Sequence, residues 1–568
     1  MSSNMTSSKV TAPWWEMFVP KLVTVLKEGY NFKTFRADVL AGLTVAIVAI
    51  PLAMALGIAS GTTPDKGLIT AVIAGFLISA LGGSRVQIGG PTGAFVVVVF
   101  NVIAAHGYDG LVLATLMAGV MLLIAGFARL GTIIKYIPHP VITGFTAGIA
   151  VIIFSSQIRD LFGLQIEKVP GDFIQKWTLF WNVKDTFNPS TTALSAGCLL
   201  LIVLLRKYAP SVPAFLMSVL VGSLVVMGLG LNVATIGSVF GELPHTLPIP
   251  HVPEGITLER MKELFPSAFT IAFLAGIESL LSAVVADGMI DRRHRSNCEL
   301  VGQGVANMAS AFFGGMPATG AIARTVTNIR SGAKSPVSGI MHAVFILLAM
   351  MFLAPLASYI PLASLAAILV IVAWNMSEQE KVKHLMKAQK GERIVMLLTF
   401  FLTVAVDLTV AIEVGVVLSA LIFMHQMTKV VELETHQHFV DGDVTDIQSK
   451  GAHHGHITLP VGVESYAFRG PLFFGVSTQL LDLLEQLNPV PRTIILDMQH
   501  VPLIDSSGEA ALHTFIGRCK KRNIFLVFCG VQRRPMKILN RMGILSGSGD
   551  DYLFVDSFPE AVAKSKVD

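Results

Sequence analysis

The sequence predicts an all-α polytopic membrane protein of fourteen spans in two inverted seven-span repeats, followed by a small α/β domain. Three observations predict it. Of the 568 residues, 53% are hydrophobic and only 14% charged, and the mean hydropathy is +0.66, which is far too apolar for a soluble chain of this size. Apolar runs able to cross about 30 Å of hydrocarbon, or half of it where Gly and Pro interrupt them, recur from Asp38 to Met427. Two short patterns also return about 225 residues later: Thr92-Gly93-Ala94 as Thr319-Gly320-Ala321, and Tyr136-Ile137-Pro138 as Tyr359-Ile360-Pro361.

In the N-terminal segment 1–37, the first thirty residues lack the apolar core and cleavage site of a signal peptide, and Trp14 to Tyr30 read as an interfacial helix. The spans then read as 38–60, 66–82, 92–106, 111–128, 139–158, 192–206, 212–231, 266–286, 296–313, 319–331, 336–355, 361–376, 392–408 and 411–428. The shared offset lays the first span on the eighth. Seven spans per half is an odd number, so the second copy (266–430) enters the membrane upside down relative to the first (38–231). Under this count Lys33 and Arg36, Arg85, Arg129 and Lys135, Arg206 and Lys207, Arg292, Arg293 and Arg295, Arg330 and Lys334, and the segment Lys381 to Arg393 fall on one side. The positive-inside tendency makes that side the cytoplasm, with both termini there and the spans in the plasma membrane. After Lys429 a polar, His-rich linker covers 431–456. In 457–568, apolar strands at Thr493–Met498 and Ile524–Cys529 alternate with helical patterns, the signature of a small α/β domain.

A net charge of +4, with its basic residues spread through loops, argues against nucleic acid as a partner. Cys198, Cys298, Cys519 and Cys529 have neither paired nor metal-ligand spacing and read as reduced packing residues. The linker's His436, His438, His453, His454 and His456, with Asp441, Asp443 and Asp446, are open to a transition metal but fit a solvated linker better. The sequence offers no enzyme chemistry, no cofactor motif and no assigned metal site.

The chemistry concentrates in the two interrupted spans. Gly89-Gly-Pro-Thr-Gly93 before Ala94-Phe95, and Gly314-Gly-Met-Pro-Ala-Thr-Gly320 before Ala321, each read as extended chain turning into a half-helix. Inverted topology brings the two half-helix N-termini face to face near the midplane, where unpaired N–H groups and partial positive charge attract an anion. Arg324 stands about 7 Å beyond Thr319 at helical rise, and is either an electrostatic lure or a side chain snorkelling to the surface. Glu278 sits about 18 Å into a span beginning near Pro266. It either pairs with Arg324 or carries a proton. In the C-terminal domain Asp505-Ser-Ser-Gly508 opens a helix, so one serine either caps it or marks an anion or phosphorylation site.

Gly90-Pro-Thr-Gly-Ala-Phe95, Gly314-Gly-Met-Pro-Ala-Thr-Gly-Ala-Ile-Ala-Arg324 and Asp505-Ser-Ser-Gly508 resemble the SulP anion transporter family over nearly the whole chain. Ala272 to Met289, with Gly276-Ile-Glu-Ser279, is similar to bacterial members of that family, the dicarboxylic acid transporter among them. The resemblance implies a uracil-permease-like core and gate that work as an elevator, a C-terminal STAS domain, and a homodimer. It places Thr92, Gly93, Phe95, Thr319, Gly320, Ala323, Arg324 and Leu52 around the anion and Glu278 beside them. Sodium-coupled bicarbonate members carry an aspartate where this chain has Glu278, so the resemblance favours proton over sodium coupling. Some animal relatives have a serine at the position of Ala323. Ser507 matches the serine phosphorylated in anti-anti-sigma factors, and STAS domains of transporters also serve trafficking and assembly with a cytoplasmic partner. The expected activity is proton-coupled uptake of a dicarboxylate, sulfate or bicarbonate. Sodium symport, anion exchange, an anion channel and a non-transporting anion sensor stand as alternatives.

Overall fold

A computed structural model of the chain describes residues 14–132, 138–166, 169–210, 212–253, 255–406, 408–430, 432–436, 459–472, 484, 487, 490–541, 543–544 and 551–565. It divides into two compact units, Met1–Ser419 and Ala420–Asp568.

In the first unit the order is α1 (Lys21–Gly29), α2 (Phe32–Ala59), α3 (Pro64–Leu81), β1 (Gly89–Gly90), α4 (Gly93–Phe127), α5 (His139–Phe162), α6 (Phe173–Asn182), α7 (Pro189–Tyr208), α8 (Ala214–Leu229) and α9 (Ile236–Phe240). It continues with α10 (Leu258–Ile290), α11 (Ser296–Phe312), β2 (Thr319–Gly320), α12 (Ile322–Arg330), α13 (Val337–Ala357), α14 (Leu362–Met376), α15 (Gln379–Leu385), α16 (Lys390–Ala405) and α17 (Leu408–Val430), which runs on into the second unit. Every predicted span contains a helix, although the tenth opens on strand β2. Helix α4 holds two of them, because Gly107, at φ 73° and ψ 179°, breaks it where the third and fourth spans were expected to part. Among the described residues, nine helices are long and apolar enough to cross a membrane. The protein is a multi-pass membrane protein.

Two helices begin six or more residues earlier than expected. Helix α2 starts at Phe32 rather than Asp38, since the Asn31 side chain accepts from Thr34 N and its first turns carry Lys33 and Arg36, which hide a span from hydropathy. Helix α10 starts at Leu258 rather than Pro266, capped by Thr257. Its first turns mix apolar residues with Glu259, Arg260, Lys262 and Glu263, and Pro266 is accommodated inside the helix. The short helices α6, α9 and α15 were not expected.

The packing repeats between the halves. Helix α13 lies on α2 and α3, as the second half of α4 lies on α10 and α11, and with α12 these helices make one bundle. Helices α14 and α16 pack on α5, and α14 on α7, so that α5, α7, α8, α14 and α16 form a second bundle. Pro138 and Pro361 are the N-caps of the corresponding helices α5 and α14, with φ/ψ of −64°/132° and −73°/138°. Tyr136 and Ile137 of that recurrence lie outside the described residues. Several of the basic loops meet the N-terminal segment at one end: Arg85 pairs with Glu28, Arg295 Nη1 donates to Val19 O and Thr24 Oγ1, and Lys334 N donates to Asp38 Oδ1.

In the second unit, β3 (Glu432–His436), β4 (Val463–Arg469), β5 (Thr493–His500), α18 (Ser506–Lys521), β6 (Phe525–Cys529), α19 (Arg533–Arg541), β7 (Tyr552–Val555) and α20 (Phe558–Ala563) follow one another. The sheet order is β3-β4-β5-β6-β7, antiparallel between β3 and β4 and parallel elsewhere. Strand β3 corrects the boundary, because Glu432–His436 belongs to the sheet and not to the linker. The linker's His438, His453, His454 and His456, with its aspartates, lie outside the described residues. All four cysteines are buried and unpaired.

Candidate anion site

Glycine and proline keep residues 89–91 and 317–320 from continuing as helix, and the two segments meet. Gly89 stands opposite Gly320 and Gly90 opposite Thr319 in a two-residue antiparallel ladder, extended by Ala321 N donating to Ile88 O at 2.8 Å. Thr319 and Gly320 are therefore strand, and the second half-helix starts only at Ile322. Arg324 sits in its first turn, and its guanidinium reaches back to Gly90 and Pro91 at the crossing. Neither α4 (N-cap Thr92) nor α12 (N-cap Ala321) has a side-chain cap, so the N–H groups at both starts are without the usual side-chain acceptor.

The two charges hold separate places around this crossing. Arg324 is 3% exposed; its Nη2 donates to Pro91 O at 2.9 Å, while Nη1 has no hydrogen-bond partner among the described residues. Gly90, at φ 150°, leaves room for it: a Cβ there would stand 2.5 Å from Nη1. Among the described residues no ion pair joins Arg324 to a carboxylate, so the expected alternative of a pair with Glu278 falls away. Glu278 instead accepts from Thr92 Oγ1 at 2.9 Å. The order is thus Arg324, Pro91, Thr92, Glu278: an unspent guanidinium N–H and a carboxylate on either side of one helix start.

The other predicted residues have differing surroundings. Thr319 is fully buried and its hydroxyl donates to Ala275 O, behind the site. Gly93 faces the second bundle, where a Cβ would meet Met376 Sδ at 2.5 Å and Ile153 at 3.4 Å. Leu52, after the in-helix Pro51, and Phe95 belong to one buried cluster. Ala323 is exposed. A cleft of about 130 Å³, several times the roughly 30 Å³ of a water molecule, runs between the bundles, with Glu278 and Ile322 in its wall. His139, Glu378 and Lys381 also line it, so it leads to the basic-loop end.

Sequence reading missed what holds the crossing. On α11, Glu299, Gln303, Asn307 and Ser310 form one buried polar stripe. Glu299 accepts from Gly83 N, Ser279 Oγ, Gln87 Nε2 and Gln303 Nε2. Asn307 bonds both Ala318 N and Ala318 O, and Ser310 Oγ donates to Met316 O. Polar residues at four-, four- and three-residue spacing within an otherwise apolar span were the available signal.

A model of the sulfate permease family matches residues 35–399, and one of the STAS domain matches 460–548. The chain belongs to the sulfate permease family. It is 43% identical to the "Putative sulfate transporter YvdB" of Bacillus subtilis, over 93% of this chain and 97% of that one. It is 30% identical to the bicarbonate transporter BicA of a Picosynechococcus, over 89% of this chain and 90% of the relative. The solved transmembrane domain of a cyanobacterial BicA superposes with a TM-score of 0.62 at 31% identity, covering 68% of this chain and 98% of that structure. Murine Slc26a9 shares the fold over 99% of this chain and 96% of its own, at a TM-score of 0.85 and 18% identity. The second unit accordingly contains a STAS domain. In it the helix cap is Asp505, whose Oδ1 accepts from Gly508 N at 2.7 Å, so neither serine caps, and Ser507 stands half-buried in the first turn.

Proposed function

We propose that this family member is a secondary transporter that takes up a small oxyanion, sulfate first and bicarbonate second, by alternating exposure of the β1–β2 crossing. The observation that carries the reading is the buried Arg324 Nη1, unpartnered among the described residues at the start of two uncapped helices. A desolvated guanidinium N–H left without an acceptor is costly, and an oxyanion supplies that acceptor. The relatives named as sulfate and bicarbonate transporters support the class of substrate. The cleft from Glu278 to His139 and Lys381 supports a state open to the cytoplasmic face, with both termini on that side of the plasma membrane.

The Thr92–Glu278 bond supports proton coupling. With Glu278 ionised, Thr92 spends its proton on the carboxylate. Once Glu278 is protonated, its O–H donates to Thr92 Oγ1 and frees the threonine proton for the anion. Proton and anion then bind cooperatively at one helix start. The bundle carrying α4, α10 and α12 is the moving core and the other is the gate, two such chains forming a dimer. The test is uptake of labelled sulfate, bicarbonate and succinate by proteoliposomes with and without a proton gradient. Gradient-driven sulfate or bicarbonate accumulation is expected. Conductance without counterflow would make it a channel, and binding without counterflow a sensor.

A further inference from the structure

The seam between the bundles is open at the basic-loop end and covered at the other. There the loop helix α6 packs on α5 and α16, and residues before it reach across to the far end of the first half of α4. A Cβ at Gly171 would stand 3.5 Å from Phe100 Cε1 and from Asn101 Oδ1.

Lys176, in the first turn of α6, points into this covered seam. It is 3% exposed, and its ammonium lies 5.8 Å from the centroid of the Phe100 ring. Among the described residues no carboxylate is within ion-pair distance of it. Asp172, one turn earlier, caps the helix by accepting from Gln175 N at 2.9 Å. Burial holds the Lys176 pKa below the ordinary lysine value, with Asp172 opposing the shift. This is not a lysine snorkelling from the bilayer: the exposed side of α6 is Ile174, Trp177 and Trp181, and Lys184 is the cation set against Trp181, at 4.3 Å.

The ring covering the ammonium belongs to one bundle and the ammonium to the other. A cation–π contact compensates only part of the lost hydration, so separating the bundles at this end removes Phe100 and leaves a hydrated, unpaired cation at the mouth. We propose that Lys176 is an anion-recruiting site of the outer mouth, sheathed by Phe100 in the present state and uncovered when the seam opens at that end. The proposal rests on the alternating-access reading above. It gives the carrier one cation for each stage, Lys176 at entry and Arg324 at the crossing.

The test compares Lys176→Gln, Lys176→Arg and the unaltered full chain in proteoliposomes of known orientation, with labelled sulfate and bicarbonate. Removing the charge is expected to raise the half-saturation for uptake from the outer face about three- to tenfold, with maximal rate within about twofold and the effect shrinking at high salt. Efflux half-saturation from the cytoplasmic face stays unchanged, and the arginine variant restores uptake. Equal changes at both faces, or none, overturn the proposal. A second measurement does not depend on transport: in intact cells, Lys176→Cys is labelled from outside by a membrane-impermeant maleimide, the native cysteines all being buried. A variant that stays unreactive overturns the outer-mouth site. If the unaltered protein moves neither anion, the transport reading fails while the labelling still decides whether this site is uncovered.

Discussion

At the scale of single residues, the crossing makes distinct demands on Arg324, Glu278 and Thr92. Arg324→Ala should weaken sulfate binding about tenfold or more, read by calorimetry on purified protein. Lysine should not restore it, since the site uses two N–H groups of one planar fork, one on Pro91 O and one free. Unaltered affinity would remove Arg324 from the site. Glu278→Gln should behave differently, because an amide donates to Thr92 as a protonated acid does. Uptake is then expected to persist across pH but no longer to respond to a proton gradient, and an unchanged response would exclude Glu278 as the proton carrier. In the STAS domain Asp505→Ala should cost about 1 kcal/mol of stability in denaturant unfolding, and Ser507→Ala close to nothing. Arg324, Glu278 and Thr92 were legible because charges in apolar spans and repeated Gly-Pro breaks stand out in sequence. Which partner each takes was not, because Pro91 O is backbone and invisible to side-chain reasoning.

At the scale of elements, helices and their order were legible from hydropathy, and the recurrence of Thr-Gly-Ala identified the two broken spans. The support behind them was not legible, because it depends on which face of α11 turns inward. Asn307→Leu should expose this support: it leaves both Ala318 N and Ala318 O without their Asn307 partner in a buried interior, at about 1–3 kcal/mol for each group. A clear fall in thermal stability in detergent, accompanied by weaker sulfate binding, is the expected result; stability and binding like those of the unaltered chain would show that the stripe does not hold β2. The second bundle has its own close crossing. A Cβ at Gly144 would lie 2.3 Å from Met396 O, so Gly144→Val must push α5 from α16 and lower the melting temperature.

At the scale of the whole molecule, the division into a membrane unit and a STAS unit follows the change in composition after Lys429, but their border does not. Five residues of polar sequence, Glu432–His436, complete the sheet as β3 because a strand needs ladder partners rather than hydrophobicity. A soluble fragment of 431–568 should therefore melt higher than one of 459–568, whose β4 edge would stand unpaired and prone to self-association. Equal melting temperatures and equal solubility would show that β3 adds nothing.

The β1–β2 ladder also has a consequence for biosynthesis. Its partners Gly89 and Gly320 are separated by about 230 residues of chain, which a ribosome adds over roughly ten to fifty seconds at about 5–20 residues per second. During that interval the first half is already in the bilayer with one half-helix start and no counterpart. The anion site comes into being only when the second half arrives. A substrate added to cells can thus stabilise the finished transporter but has nothing to hold in a nascent one, and variants that fail before β2 docks will not be rescued by ligand.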